Sequence, residues 1–405
     1  MGAQARLLDL TRLVSRVGHG PMTGIDRVEA AYLAKVLSLP DPLFGLVRSA
    51  LGYVLLDRAG VEAVEARLNG RKAWGKADLL SRLTHRQAPL RRRAESDLRR
   101  LAIARSGRKG LAGMLAQHLP KGTVWLNVGH TNLTQEVFDA VHGAGGRAHV
   151  LIHDMIPLDY PQYQRSGTVE TFERRMRAVS ANADLVIYNS AASQSDAKRY
   201  FSEWGRVPEG LVAHLGVEVA TPDPSVLPAG LKRSAPYFVT IGTIEPRKNH
   251  ALLLDIWQEL AAVDTPPTLY IIGKRGWNND VVFRRLDARP PGVVELGGLP
   301  DGAMAALLQG ARALLFPSFA EGFGLPPCEA HALGVPVIAS DLPVLREVLG
   351  NIPIYASPVD MYSWRKTIQA LTAQKEARQS AGSETQSPPA LATWDDHFNL
   401  VLREG

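Results

Sequence analysis

FPSFAEGFGLPPCEAHALGVPVIASDLPVLREV, residues 316–348, decides how this chain is built. It begins at the end of an apolar run, ALLF (313–316), short enough for a strand buried on both faces. A loop carrying Glu321, Gly322, Phe323 and Gly324 follows. Pro326 and Pro327 then open a helix, where a missing N–H costs nothing, and Gly334 closes it. VPVIAS (335–340) supplies the next strand. Strand, glycine loop, helix and strand together make the repeating unit of a parallel sheet covered by helices.

The same alternation extends over most of the chain. Apolar runs at 5–13, 45–56, 124–129, 148–153, 185–189 and 211–215 read as strands. So do those at 237–242, 268–273, 293–296, 313–316 and 335–340, with helical patterns such as 26–37, 168–183 and 250–262 between them. ATPDPSVLPAGLKRSAP (220–236), with four prolines, divides the runs into two groups. The expected fold is therefore α/β, two Rossmann-like doubly wound domains facing across a cleft. Residues 1–225 form the N-terminal domain and 226–388 the C-terminal domain. A polar stretch at 374–389 precedes 389–405, where Leu391, Trp394, Phe398 and Val401 share one helical face. That helix is expected to cross back to the N-terminal domain.

Loop 321–324 has a definite chemistry. Its glycines let backbone N–H groups approach an oxygen-rich ligand. The helix start adds unpaired donors and partial positive charge, a seat for a diphosphate. Glu329, eight positions after Glu321, can accept hydrogen bonds from vicinal hydroxyls such as a ribose's. A capping glutamate beside an ordinary turn would account for either residue alone.

As a whole, EGFGLPPCEAHALGVPVIAS resembles the signature of the family 4 (group 1) retaining glycosyltransferases of the GT-B fold, including bacterial mannosyltransferase-like members. The resemblance is strong over roughly 235–350 and loose before it. It implies that Glu321 faces the donor sugar and Glu329 holds the nucleotide ribose. It gives Gly322, Phe323, Gly324 and Leu325 backbone contacts to the sugar and diphosphate. In IEPRKNH, after strand 237–242, Arg247 and Lys248 stand where the family keeps its diphosphate-binding pair, and two such cations balance a leaving diphosphate without a metal. Gly273 and Lys274, in IIGKRGW, are candidate nucleotide contacts; a surface loop with a packed tryptophan explains the same residues.

In the N-terminal half, VSRVGHGPMTGIDRV has Gly18, Gly20 and Gly24 in a spacing that misses the dinucleotide fingerprint by one residue. The resemblance makes Thr23 and Gly24 a loop beneath the donor phosphates. His153 and Asp154 end an apolar strand; by resemblance His153 touches the donor sugar, and Asp154 orients it or the acceptor. His130 competes for the role of His153, and Ser190 is a further cleft candidate.

Bulk properties narrow the classes. One cysteine, Cys328, excludes an internal disulfide and a cysteine zinc site. No uninterrupted apolar run reaches membrane-spanning length, so a cytoplasmic protein is expected. Residues 82–109 hold ten Lys and Arg against Glu95 and Asp97, from Arg82 to Lys109; they read as a solvated helix face or as a contact with anionic membrane. Without interleaved aromatics, nucleic acid is not an expected partner. The resulting expectation is a hexosyltransferase, leaning to mannose, with a nucleotide-sugar donor, a glycan or lipid-linked acceptor, and neither metal nor other cofactor. A sugar-nucleotide epimerase of the same fold and a non-catalytic membrane module are the alternatives; the lysine pattern of a pyridoxal phosphorylase was not found.

Overall fold

The structure is a computed structural model that describes residues 3–20, 22–82, 88–231, 235–262, 266–373 and 390–403. The polar stretch 374–389, residues 83–87 of the basic stretch and residues 232–234 of the linker lie outside them.

The apolar runs segregate into two sheets. The first has eight strands in the order Ala104–Ser106, Gly52–Leu56, Leu43–Ser49, Ala5–Asp9, Thr123–Asn127, Arg147–Ile152, Leu185–Tyr188 and Gly210–Val212. The second has six, in the order Val293–Leu296, Thr268–Ile272, Tyr237–Ile241, Leu314–Phe316, Val337–Ser340 and Ile354–Ala356, all parallel. Central strands such as Thr123–Asn127 and Tyr237–Ile241 are buried at every residue, because helices cover both faces.

Three readings of the sequence are corrected. The run 45–56 is a hairpin, Leu43–Ser49 against Gly52–Leu56, so the first sheet is mixed rather than parallel. Gly52 turns the chain at φ +124°, where a Cβ would collide with the Ser106 carbonyl. Strand 5–13 stops at Asp9, whose carboxylate accepts from the N–H of Thr11 at 3.0 Å and starts the short helix Thr11–Ser15. Strands Ala104–Ser106 and Ile354–Ala356 were not anticipated; each has three residues, too few for an alternation to register.

The basic stretch is not simply a solvated face. In helix Pro89–Leu101, Asp97 is buried and pairs with Arg67 and Arg100, while Glu95 takes Arg91. Arg99 pairs with Asp78, and Arg93 donates to the carbonyls of Trp74 and Gly75. Arg105, Arg108 and Lys109 stay exposed.

Helix Trp394–Val401 lies against the first domain. Its Phe398 and Val401 are buried, and Tyr32 Oη meets His397 Nε2 at 2.8 Å. Each buried side chain contributes about 1.5–3 kcal/mol, which an eight-residue helix needs because it is marginal alone. Gly216 is where it crosses: a Cβ there would lie 2.3 Å from the Trp394 nitrogen.

Candidate active site

The carboxyl ends of the parallel strands of both sheets face each other, and the candidate residues leave from those ends. After Tyr237–Ile241 the chain turns through Glu245–Pro246 into Arg247 and Lys248. After Leu314–Phe316 it passes Phe319 and Ala320 to Glu321. The Phe319 N–H donates to the Arg247 carbonyl at 2.9 Å, tying the two turns together.

Glu321 Oε1 receives both cations, Arg247 Nη1 at 2.9 Å and Lys248 Nζ at 2.6 Å. Arg247 also reaches Glu245 at 2.7 Å. Burial alone would raise the Glu321 carboxyl, but Arg247 and Lys248 overcome it and hold it at about 2. Burial pulls the Lys248 ammonium down, and Glu321 opposes that. Two cations against two carboxylates leave this cluster neutral.

At Gly322 the two domains come into backbone contact. A Cβ there would sit 2.2 Å from the His153 carbonyl oxygen and 3.0 Å from the Asp154 Cβ. Its own carbonyl accepts from Ser190 Oγ at 3.1 Å and Ser193 Oγ at 3.2 Å. Ser190, the N-cap of helix Ala191–Glu203, is buried in this contact between the domains. Asp154 lies beside the Arg247–Glu321 cluster; burial raises its carboxyl to about 6, with Arg247 acting against the rise. Both histidines are buried. His153 Nε2 lies 2.7 Å from the Val128 carbonyl, and His130 Nε2 lies 2.9 Å from the Leu151 carbonyl, so each Nε2 is a donor. Burial lowers His153 to about 4 and holds His130 well below its ordinary value, so both are neutral near pH 7.

Phe323 is buried, and Gly324 adopts φ +95° as the N-cap of helix Leu325–Ala332. Because Pro326 and Pro327 have no N–H, the donors at this helix start are those of the loop and of Leu325. The helix begins one residue earlier than anticipated. Gly24 faces it, 3.6 Å in Cβ terms from a Leu325 methyl, so the starts of two helices converge. Thr23 donates its N–H to Asp26 at 2.8 Å and caps the helix Gly24–Ser38. Glu329 lies a turn further on; Arg27 pairs with it from the opposite domain. Burial raises the Glu329 carboxyl, against the pull of Arg27.

Gly273 closes on the Gly242 carbonyl, and Lys274 Nζ donates to the His19 carbonyl in the N-terminal glycine loop. Trp277 is packed, as one reading of that loop expected: its indole N–H donates to the Tyr163 carbonyl at 2.8 Å, and Arg165 stacks over its ring. Arg27 and the Tyr163–Phe319 ring stack were missed. Nothing local marks them, because their partners lie in the other half of the chain. Glu347 was missed for the same reason. It accepts from the N–H groups of Ala191 and Ala192 at 2.6 and 3.0 Å, and from His214 at 2.7 Å.

Comparison with known proteins follows this division. Residues 228–387 match the family described as glycosyl transferases group 1. The chain is 33% identical over 297 residues to an Escherichia coli serotype-specific mannosyltransferase WbdA, covering 67% of this chain and 36% of that protein. It is 32% identical over 223 residues to the E. coli O-antigen chain mannosyltransferase B, covering 53% and 58%. The chain thus spans about a third of the length of the first relative and over half of the second. Among solved structures, Anabaena HepE in complex with UDP and glucose superposes with a TM-score of 0.61 at 15% identity, over 99% of this chain and 95% of that one. The sucrose-phosphate synthase of Thermosynechococcus elongatus gives 0.61 at 16% identity, over 99% and 97%. The architecture is the GT-B one, two Rossmann-like domains across a cleft, and the C-terminal domain of this chain belongs to the glycosyl transferases group 1 family.

Proposed function

We propose that the chain transfers a hexose, mannose by the character of its relatives, from a nucleoside diphosphate sugar to a glycan or lipid-linked acceptor in cell-surface polysaccharide assembly. The observation that carries this reading is the seating of Glu321 between Arg247 and Lys248, one loop away from the helix start that leads to Glu329. A diphosphate entering here meets loop N–H groups and a positive helix end, and Arg247 and Lys248 become its charged donors as it displaces part of their pairing with Glu245 and Glu321. Glu329 takes the ribose hydroxyls. Glu321 stays anionic at neutral pH and faces the sugar, where positive charge develops as the C1–O bond breaks. His153, fixed as the Nε2–H form, offers only a Nδ1 lone pair and so accepts from a sugar hydroxyl. Asp154 orients the acceptor beside it. Retention of configuration belongs to the same proposal.

A cytoplasmic location at the inner membrane face is part of this reading. No described helix is long and apolar enough to cross a membrane. The peripheral contact then depends on Arg105, Arg108 and Lys109, since most arginines of helix Pro89–Leu101 have internal partners.

The test is a thermal-shift screen of GDP-, UDP- and ADP-sugars, followed by product analysis with and without acceptor. A ligand at about 100 times its Kd stabilises by about 2.7 kcal/mol. Stabilisation by one class and transfer that requires acceptor are expected. Conversion of the donor sugar without acceptor would instead identify an epimerase.

A further inference from the structure

The carboxyl end of the first sheet carries a group of arginines that the transfer chemistry leaves unused. Arg175 sits on helix Thr168–Asn182, one turn beyond Phe172, whose ring lies 6.0 Å from that of His130. The His130 ring lies 5.0 Å from that of His153, whose carbonyl meets Gly322, so this helix face borders the contact between the domains. Arg48 comes to the same place from the end of strand Leu43–Ser49. Its N–H donates to Thr11 Oγ1 at 2.9 Å, and Asn132, in the loop of His130, donates to that oxygen at 2.8 Å. Arg48 stands opposite Tyr53 in the hairpin, on the sheet face whose core includes Phe172 and Met176.

These side chains lack counter-ions. Among the described residues, no carboxylate pairs with Arg48, Arg174 or Arg175. Arg175 is half-buried; burial lowers its guanidinium, and Arg48, Arg174 and Arg12 add to that effect. The carboxylates of this region are committed elsewhere. Asp9 takes the Thr11 N–H and the side chains of Thr131 and Asn132, Asp26 and Glu29 take Arg12, and Glu173 takes Arg177. A guanidinium that has given up part of its water among like charges, with no anion beside it, is costly. An anion of phosphate or carboxylate geometry relieves that cost, because guanidinium donors match its oxygens in pairs.

We propose that Arg48 and Arg175, with Arg174 adding charge, bind an acidic group of the saccharide acceptor, a phosphate or a carboxylate carried on a sugar ring. The proposal rests on the transferase reading. The arginines stand on the side of His130 and His153, whereas the diphosphate is assigned to Arg247 and Lys248, so they engage the sugar that receives rather than the group that leaves. A neutral saccharide would leave them as they are.

Isothermal titration of the full chain with methyl mannoside 6-phosphate, methyl glucuronide, methyl mannoside and inorganic phosphate tests it. At least one acidic glycoside should bind about tenfold tighter than the neutral glycoside and than phosphate alone, and the tighter of the two names the group. Arg175→Gln and Arg48→Gln should each weaken that binding about tenfold and leave nucleotide-sugar binding unchanged. Each removes a like charge from a crowded set, so neither should lower the denaturation midpoint, which separates lost affinity from lost fold. Equal affinity for acidic and neutral glycosides, or variants that bind as wild type does, overturns the proposal. So does inorganic phosphate binding as tightly as the phosphorylated glycoside, which would make this a free-anion site. A chain that prefers acidic glycosides but binds no nucleotide sugar keeps the arginine site and loses the transferase reading; the opposite pattern loses only the arginine site.

Discussion

Arg27 and Glu329 meet across the cleft, a cation on one domain against a carboxylate that is almost buried in the other. The residue proposed to hold the ribose is therefore paired with Arg27. On that proposal, a bound nucleotide would displace Arg27. Arg27→Ala leaves Glu329 buried without its cation, so its carboxyl, already raised, rises further. Nucleotide affinity of that variant should decline on mild acidification, where the wild type holds steady. Calorimetry with a nucleoside diphosphate at two pH values measures this; parallel profiles would separate Arg27 from the ribose site.

Glu321 and Lys248 belong to one buried ion cluster, so both variants should lose stability. Glu321→Gln removes the anion that Arg247 and Lys248 share; it should lower kcat by about 10²–10³ and also lower the denaturation midpoint, because two buried cations lose their common partner. Lys248→Met strips one of two cations from a buried carboxylate, and such losses cost about 3–5 kcal/mol. Denaturation midpoints and steady-state kinetics on both variants check the pair.

Acid should unfold this protein early. His149, His153 and His397 are held near 4 by burial, from an ordinary 6.5, and His250 near 3. The unfolded chain binds protons at these sites that the folded chain does not, so stability falls as pH drops below about 6.5. Each site contributes about 1.4 kcal/mol per pH unit until its folded value is reached. Asp154, raised from 3.8 to about 6, works in the other sense: its contribution is present at low pH and is lost as pH rises through 6. Glu321, lowered from 4.5 to about 2, adds stability above 4.5 that is lost as pH falls through 2. Unfolding curves across this range should show the histidine slope dominating, and a flat profile between pH 6.5 and 4 would refute it.

Glu347→Ala removes the carboxylate that accepts the first two N–H groups of helix Ala191–Glu203. A lost cap costs about 1 kcal/mol. Here the cap comes from the opposite domain, so small-angle scattering should also show a larger radius of gyration. A variant as compact as wild type would mean that other contacts hold the domains.

The sequence was most legible where chemistry needs special backbone. Gly322, Gly324, Pro326 and Gly334 punctuate one segment so tightly that strand, loop and helix could be placed from residue type alone. The hairpin at 43–56 was hidden because its turn, Ala50–Leu51, carries no Asn-Gly signal and exposes a leucine. The basic stretch misled in a different way: composition counts charges, but only packing shows that Asp97 and Asp78 already hold Arg67 and Arg99. Arg27 and Glu347 stand 302 and 156 residues from their partners, beyond any local pattern.

The return of helix Trp394–Val401 to the first domain has a mechanical consequence. Two lobes joined by a single tether can swivel freely, but this chain passes between its lobes twice, once after Val212 and again before Trp394. Where the chain arrives the second time, Trp394 lies against Gly216, so the C-terminal end of the second lobe is pinned to the first.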